Sequence, residues 1–324
     1  RIDGVSLGRH KIKISYVGYY DQIIPVVINA GKELILNAGI EESFKTLKTV
    51  EITGDDNGGV KNDMALASVT SFSVEETKKY AGSRDDPARM ASNFAGVQGA
   101  DDSRNDIVVR GNSPLGVLWR VEGIDIPNPN HFSIAGSSGG PVSILNNKLM
   151  ANSDFFTAAF PAEYGNSVAG VFDLKLRNGN NQKHEFSGQF GFLGTEIMAE
   201  GPINKKTGSS YLFAYRYSTL AIFERFNIRI GTDAVPSYQD LSFKLNFPQK
   251  KGGTLSLFGI SGTSSIDIMI SDEEKPKKEI NIYGENDRDQ HFATAMGVAG
   301  LTYLKPLKKN AFWKTTIAGA VEQQ

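Results

Sequence analysis

The sequence contains no cysteine, and its 35 Lys and Arg residues nearly balance its 36 Asp and Glu residues, for a net charge of −1. Without cysteine, the chain forms neither a disulfide framework nor a thiolate metal site, although this absence does not decide the compartment. A charge so close to zero gives no reason to expect general nucleic-acid affinity. Cysteine-dependent classes are therefore excluded, and nucleic acid is not an expected partner.

Long apolar runs and catalytic motifs are also absent. No stretch of 18 apolar residues occurs, which argues against a membrane-spanning helix but leaves room for barrel strands of about 9–11 alternating residues. The four histidines are isolated and lack zinc spacing. No nucleophile elbow, P-loop or dinucleotide fingerprint is present. The sequence therefore predicts no enzyme, no catalytic residue, no metal site and no cofactor.

Residues 1–42 predict a small β module. Ile12 and Ile14 alternate with Lys11 and Lys13, the period of a half-buried strand, and a second apolar run covers 23–28. Residues 43–62 are interpreted as a linker, because a short strand-forming island precedes the turn-rich tract GDDNGG. The island consists of Thr49, Val50, Glu51, Ile52 and Thr53.

Residues 63–180 mix helix and strand signals. Ser73 followed by Glu76 fits a capping box for a short helix through about residue 80. Asp86 and Pro87 fit an N-cap and first position of a second helix, with Gly96 as its terminator.

Strands and one turn complete this segment. Strands are predicted over 107–110, 117–121 and 171–177, and Glu122–Gly123 predicts a tight hairpin turn in which glycine supplies a positive φ. A Gly/Ser-rich loop covers 131–147. The segment therefore predicts an α+β unit.

From His184 onward, aromatic and leucine residues alternate with polar ones over about six predicted strands. The clearest runs are Tyr211, Phe213, Tyr215 and Tyr217, and then Leu241, Phe243, Leu245 and Phe247. The apolar parity changes near Leu193–Gly194, which predicts a β-bulge. Since soluble sandwiches also alternate, the pattern alone does not decide between a sandwich and a membrane barrel.

Two stretches carry a family resemblance: DIVVRGNSPLGVLWRVEGIDIPNPNHF at 106–132 and FPAEYGNSVAGVFDLKLRNG at 160–179. Together, in this order and about 50 residues apart, they resemble the plug domain of TonB-dependent outer-membrane receptors. The family usually has Asp where Glu122 stands. The residues that carry the match include Arg110, Gly111, Glu122, Gly123, Tyr164, Gly165 and Gly170.

The resemblance implies a mainly β fold with an α+β plug. Residues 1–42 are similar to the C-terminal part of a carboxypeptidase regulatory-like β-sandwich, 63–180 to the plug, and 181–324 to the first strands of a large antiparallel transmembrane β-barrel. Such plugged barrels have about 22 strands, more than 181–324 can supply. We therefore expect the sequence to be a fragment with an incomplete barrel.

The resemblance also implies a function. Receptors of this family lie in the outer membrane of Gram-negative bacteria, contact its lipid, bind a small nutrient or chelate outside and import it with energy from TonB and the ExbB–ExbD complex. The island at 49–53 resembles a TonB box, the segment that pairs with TonB. The loop residues expected to face the substrate are His131, Phe132, Ser133, Gly136, Ser137 and Ser138.

Several alternatives remain open at the sequence level. Within the family, starch-utilisation-type importers of oligosaccharides or peptides share the N-terminal module and use a surface lipoprotein lid. Outside it, a non-transporting β-rich surface binding or adhesion protein predicts polar residues on both faces of the strands after His184. Arg110 is expected either to be solvated or to pair with Glu196 or Glu200.

Overall fold

The computed structural model describes residues 2, 4–6, 8–15, 22–28, 34, 36, 68–72, 82–83, 86–100, 103–134, 137–151, 153–191, 194–219, 221–222, 236–249, 252–268, 289–307 and 311–324. The predicted linker with its island at 49–53, the predicted helix near 73–80, and Gly136 lie outside these residues. No helix in the described part is long and apolar enough to cross a bilayer.

The N-terminal segment contains the two strands that alternation predicted. β1 (Gly8–Ile14) pairs antiparallel with β2 (Gln22–Ile28), and the register places Ile12 opposite Ile24.

Residues 68–180, which we call the plug, form a small α+β unit. Its elements are β3 (Val69–Phe72), α1 (Pro87–Ala91), β4 (Val97–Gly99), β5 (Ile107–Val109), β6 (Val117–Val121), β7 (Ile124–Asp125), β8 (Asn130–His131), β9 (Val142–Ser143), β10 (Ser153–Phe156) and β11 (Gly170–Leu174). A five-stranded sheet has the order β3-β10-β11-β6-β7, in which β6 and β11 are parallel and the other pairs antiparallel. β4–β5 and β8–β9 form two separate antiparallel pairs.

Helix α1 begins where predicted and ends earlier. The carboxylate of Asp86 accepts from the amides of Ala88 and Arg89, so the predicted N-cap is confirmed. The helix ends at Ala91 rather than near Gly96. The side chains of Ser92 and Asn93 donate to the last helical carbonyls, which satisfies acceptors that another helical turn would otherwise bond.

The predicted hairpin turn is confirmed. Val121 pairs with Ile124, and the two residues between them have positive φ, 54° at Glu122 and 88° at Gly123. Positive φ at both central positions is typical of a type I′ turn, whose twist matches that of the flanking strands. Glycine adopts this conformation readily, whereas glutamate does so uncommonly.

Each face of the plug sheet has its own core. On one face, the ring of Phe172 stacks between Trp119 and Phe155, with centroid distances of 4.3 Å to each. On the other face, Phe156 packs with Tyr164 and Val171 in a smaller buried cluster. Packing on both faces fixes the sheet within the plug.

Residues 185–323 contribute a seven-stranded antiparallel sheet, which we call the wall. Its strands, paired in chain order, are β12 (Glu185–Phe190), β13 (Gly194–Asn204), β14 (Ser209–Ser218), β15 (Ser237–Pro248), β16 (Thr254–Ile268), β17 (Gln290–Pro306) and β18 (Phe312–Gln323). β12 and β18 are the edge strands of the described sheet, so the wall does not close on itself.

The predicted β-bulge near Leu193–Gly194 is wrong. β12 and β13 are separate antiparallel strands on either side of this position. The amide of Gly191 donates to the carbonyl of Gly194 over 3.1 Å, where β12 ends and β13 begins. The alternation restarts with the second strand, and in the sequence this restart resembles a change of parity within one strand.

The two faces of the wall differ. The aromatic runs of β14 and β15 share the outward face, where Phe213 lies opposite Phe243. On the same face Phe186, Ile197 and Ile317 are 77%, 58% and 72% exposed. The inner face packs against the plug. Its buried apolar residues, which belong to one cluster with the plug core, are Met198, Leu212, Ala214, Phe258, Ile260, Met296 and Val298.

We predict that Phe172→Ala destabilises the plug by about 3–5 kcal/mol, because it removes the central ring of a buried stack and leaves a cavity. Urea unfolding of the full-length protein, followed by the fluorescence of Trp119, measures the change. Leu115→Ala, at a plug position that is 61% exposed, is the matched control and should stay within about 0.5 kcal/mol. Equal effects of the two substitutions would contradict the proposed core.

Candidate functional site

The candidate site is the interface between the plug and the inner face of the wall. Two rows of charged side chains cross this face in register. The upper row contains Glu196, Arg216 and Asp240, and the lower row contains Glu200 and Lys244. Four residues along β13 separate the rows, which corresponds to about 13 Å.

The two ends of the wall have connections of different length. At one end the strands are joined by 205–208, 249–253 and 307–311, and we call this the short-turn end. At the other, the long-connection end, 219–236 and 269–289 join the strands, together with the three-residue connection 191–193 between β12 and β13. The lower row lies toward the short-turn end, and the upper row lies toward the long-connection end.

Arg177 joins the plug to the lower row. Its guanidinium binds both carboxylate oxygens of Glu200, over 2.6 and 2.8 Å, and its Nε donates to the carbonyl of Lys148. Glu200 is 2% exposed and also accepts from the amide of Asn180. Bidentate pairing with additional hydrogen bonds is the geometry that compensates a buried carboxylate.

Glu122 makes the second contact with the lower row. Its carboxylate accepts from Nζ of Lys244 over 3.0 Å and from the amide of Leu176 over 2.7 Å. Nζ of Lys244 also donates to the carbonyl of Leu176 over 2.6 Å. The turn residue therefore ties the segment that leaves the plug to the wall, and the longer side chain of Glu, relative to Asp, extends the reach of the carboxylate.

The loop before β10 contacts the upper row. Nζ of Lys148 donates to Oε1 of Glu196 over 2.6 Å, and the side-chain amide of Asn146 donates to Oε2 over 2.5 Å. Both oxygens of the buried Glu196 carboxylate are therefore bonded by the plug. Lys148 also donates to the side chain of Gln189 on β12.

The β8–β9 hairpin contacts the rest of the upper row. Arg216 donates to Asp240 through Nε over 2.9 Å and, through Nη2, to the plug carbonyl of Ser143 over 2.5 Å. Nε2 of His131 lies 2.9 Å from the same oxygen of Asp240, and His131 is completely buried. Burial lowers the pKa of His131 below its ordinary value, although Asp240 opposes this shift.

Charge is balanced within each row when the plug is docked. In the upper row, Glu196 and Asp240 are matched by Arg216 and by Lys148 of the plug. In the lower row, Glu200 and Lys244 are matched by Arg177 and Glu122 of the plug. The wall residues of the upper row carry a net charge of −1, which Lys148 of the plug neutralises. Those of the lower row sum to zero, but Glu200 and Lys244 lie two strands apart and each has its ion-pair partner on the plug. Since an unpaired charge is costly in a low-dielectric interface, both rows depend on the docked plug.

The predicted substrate-facing residues that the structure describes lie at the end of β8 and in the loop that joins it to β9. His131 and Ser133 are buried, and the amide of Phe132 donates to Oγ of Ser264 on the wall. The hydroxyl of Ser137 accepts from Arg104, and the carbonyl of Ser138 accepts from Trp119. The structure brings these residues together on one loop, and their role toward a substrate stays a prediction.

Buried amides hold this loop to the rest of the plug. The side chain of Asn105 donates to both Asp86 and Asn130 over 2.6 Å and accepts from the amide of Gly140. Burial raises the pKa of Asp86, although its hydrogen bonds to Asn105, Arg89 and Ala88 oppose the shift. The N-cap of α1 and the hairpin loop therefore share one polar network.

The two sequence motifs of the plug meet in the fold. β6 from the first motif and β11 from the second are parallel neighbours, with Arg120 beside Asp173. The guanidinium of Arg120 lies 5.0 Å from the ring centre of Tyr164, whose hydroxyl donates to Asp173 over 3.0 Å. The motifs therefore form one packed unit, with Gly170 as the first residue of β11.

Arg110 and Gly111, at the end of β5, both have positive φ. The Arg110 side chain is exposed and donates to the hydroxyls of Ser68 and Thr157. Arg110 was expected either to be solvated or to pair with Glu196 or Glu200. The structure contradicts the pairing, because Lys148 binds Glu196 and Arg177 binds Glu200. A Cβ built at Gly165 meets no atom within 4 Å, so packing does not require glycine there.

The sequence analysis did not identify the charged interface residues, which are Lys148, Arg177, Arg216, Asp240 and Lys244. The sequence did contain a signal for two of them. Asp240 and Lys244 alternate with the outward Leu241 and Phe243, which places both charged residues on the inner face of β15. Among the described residues, no group of three His, Asp or Glu side chains comes together to hold a metal ion.

The fold is similar to those of solved outer-membrane proteins. The outer membrane transporter YddB from Escherichia coli matches with a TM-score of 0.52 and 13% identity, over 78% of this chain and 38% of that chain. A mutant of the ferric enterobactin receptor PfeA from Pseudomonas aeruginosa matches with a TM-score of 0.51 and 14% identity, over 78% and 40%. No protein-family model and no curated protein matches the sequence.

At this level of identity the likeness shows the fold. The predicted class, an α+β plug followed by the first strands of a large antiparallel barrel that does not close within this chain, is confirmed. The chain spans about two fifths of the length of the solved chains that it matches.

We predict that Glu122 and Lys244 are energetically coupled by about 1.5 kcal/mol or more, because removing one partner leaves the other charge buried and unpaired. A double-mutant cycle with Glu122→Gln and Lys244→Met, measured by urea unfolding of the full-length protein, gives this coupling. The pair Lys183–Glu185, 3.7 Å apart and more exposed, is the control and should couple by about 0.2–1 kcal/mol. Additive effects of the two buried substitutions would show that the contact is energetically unimportant.

Proposed function

We propose that this chain is part of a TonB-dependent outer-membrane transporter of a Gram-negative bacterium, which binds an extracellular nutrient and imports it through a plugged β-barrel. The observation that carries this proposal is the asymmetry of the wall. Its outward face exposes aromatic and aliphatic side chains, whereas its inner face holds a folded plug through buried ion pairs. A stopper inside a pore is suited to gated transport rather than to catalysis.

The outward face supports a membrane location. Phe190, Trp313 and Val321 are each more than 60% exposed on an antiparallel sheet. A surface of this kind is unfavourable in water but suits lipid, in which spanning strands must close into a barrel because the lipid offers no backbone hydrogen bonds. The surface-binding alternative predicts polar outward residues, so these side chains favour the transporter.

The lengths of the connections support an orientation. Outer-membrane barrels have short periplasmic turns and longer extracellular loops. By this rule the long-connection end faces outward, and the upper row with the β8–β9 hairpin lies nearer to it. We therefore propose that His131, Phe132, Ser133, Ser137 and Ser138 belong to the substrate-facing part of the plug.

We propose that TonB, together with ExbB–ExbD, supplies the energy for import by binding the island at 49–53. Strand pairing to an edge requires few specific side chains. About five backbone hydrogen bonds at about 0.5–1.5 kcal/mol each oppose an ordering cost of about 1–2 kcal/mol per residue. Such a contact is marginal and hence reversible, as a transport cycle requires.

The proposed substrate is a small nutrient, with a siderophore or other metal chelate as the favoured class. PfeA, which shares the fold, is named a ferric enterobactin receptor. An oligosaccharide or peptide importer of the starch-utilisation type, with a lipoprotein lid, remains the alternative within the family.

We propose the domain boundaries 1–42, 43–62, 63–180 and 181–324, the first being part of a β-sandwich.

We predict that deleting residues 63–180 from the full-length protein opens the pore. Without the plug, hydrophilic antibiotics that are too large for ordinary porins should pass through the barrel. Cells should then become more sensitive to these antibiotics by about tenfold or more, an order-of-magnitude estimate for a wide barrel. The minimum inhibitory concentration measures this effect without knowledge of the cargo. Cells that express the intact protein at the same level are the control, and unchanged sensitivity with the variant present in the outer membrane argues against a pore.

We predict that deleting residues 49–53 abolishes energised uptake while ligand binding persists, because TonB loses its attachment and the binding surface stays intact. Labelled ferric chelates are screened first for binding to outer-membrane vesicles, and uptake of the bound chelate is then measured in cells. Deletion of the following tract 54–58 is the length-matched control and should leave uptake unchanged. Normal uptake after removal of the island would disprove the TonB-box assignment.

A further inference from the structure

The β8–β9 hairpin meets the wall at one completely buried imidazole. Asp240 accepts from both His131 and Arg216 on the same carboxylate oxygen. An ionised carboxylate only accepts hydrogen bonds, so the neutral imidazole must carry its proton on Nε2. Nδ1 of His131 then faces the interface as a lone pair, and it has no hydrogen-bond partner among the described residues.

The charges around His131 leave no place for a second cation. Arg216 already neutralises Asp240 over 2.7 Å, and Glu196, the other carboxylate of the row, is neutralised by Lys148. Tyr238, whose ring centre lies 4.6 Å from that of His131, is a further titratable group that faces it. A protonated His131 would therefore add an uncompensated charge next to Arg216 and an N–H at Nδ1 with no acceptor.

The space around the imidazole is closed as well. Gly262 on β16 lies against it, and a Cβ built at this glycine would come within 2.8 Å of Cε1 of His131 and of Ile144. Such close packing leaves little room for water that could solvate a new charge. Since His131 is already completely buried against the wall, further strands of a barrel would not expose it.

The next residue, Phe132, has an uncommon backbone conformation that contacts with the wall support. Phe132 has a φ of 53°, which is uncommon for a bulky side chain. Its amide donates to Oγ of Ser264, and its ring packs edge-on against Tyr238. Breaking the contact of His131 with the wall would remove part of the support for this conformation, so both features favour release once docking weakens.

We propose that His131 is an acid-sensitive latch, which holds the β8–β9 hairpin of the plug against the wall when the imidazole is neutral and releases it when the imidazole is protonated. The inference rests on the proposed function, because undocking affects transport only if the plug is a stopper in a pore. Acidification outside the cell would then loosen the part of the plug that lies toward the long-connection end.

The sign of the effect follows from linkage. Docking lowers the pKa of His131 through burial, so the docked state binds its proton more weakly than the undocked state does. Docking is fully favoured above the undocked pKa and weakens as the pH falls toward the docked pKa. Each unit by which docking lowers this pKa weakens docking about tenfold at pH values below both.

The test is thiol labelling of the full-length protein in detergent or nanodiscs. These 324 residues contain no cysteine, so Ser133→Cys, at a buried position next to the latch, reports on release. Lys206→Cys in the exposed turn 205–208 corrects for the pH dependence of the thiol itself. The ratio of the two maleimide labelling rates should rise about tenfold or more between about pH 7.5 and about pH 5, across the titration range of histidine.

His131→Gln supplies the matched control, because its amide can still donate to Asp240 but does not titrate in this range. In this background the labelling ratio should not change with pH. A pH-independent ratio in the His131 protein, or an unchanged pH response in the His131→Gln protein, would overturn the latch. If His131→Gln does not fold, the ring ¹⁵N signals of His131 in the unsubstituted protein decide, because a pKa at or above the ordinary histidine value contradicts the proposal.

The outcome is separable from the test of transport. Labelling uses neither TonB nor cargo, so acid-dependent release can be observed in a protein that imports nothing. A protein that imports a chelate but gives a flat labelling ratio would keep the proposed function and lose the latch.

Discussion

Buried charge on the inner face of the wall governs how the plug and the wall fit together. Glu196, Glu200, Asp240 and Lys244 are each less than a tenth exposed, and solvent cannot balance them while the plug is docked. The plug supplies the missing charges and hydrogen bonds, so plug and wall have matching patterns. Removing one partner costs more than the pair contributes, which makes such contacts better at fixing position than at adding stability.

The same requirement for charge balance explains why apolar packing and ion pairs alternate along the interface. Between the two charged rows, Met198, Ala214 and Ile260 join the buried core of the plug. The alternation from His184 onward predicts polar residues on this face, but where the plug packs, the inner face is partly apolar. The apolar contacts exclude water and thereby strengthen the ion pairs beside them.

Much of the local structure could be predicted from the sequence. The N-cap at Asp86 and the turn at Glu122–Gly123 depend on interactions within a few residues, so their signals are local. The length of α1 and the turn between β12 and β13 were predicted wrongly. The side chains of Ser92 and Asn93 cap α1, and Gly191 bonds Gly194 where β12 ends and β13 begins. Hydrophobic periodicity registers neither kind of hydrogen bond. The parallel pairing of β6 with β11 joins residues about 50 positions apart, and the sequence analysis did not predict it.

The order of residues along the chain was enough to establish which side chains alternate, that Glu122–Gly123 forms a tight turn, and which family the two motifs resemble. These properties follow from neighbouring side chains and backbone preferences. The choice of charge partners emerged only in the folded molecule. Arg177 pairs with Glu200, Lys148 pairs with Glu196, and both His131 and Arg216 bind Asp240. Pairing of this kind depends on how far each plug loop reaches across the wall, and strand register and burial set that distance rather than spacing along the chain.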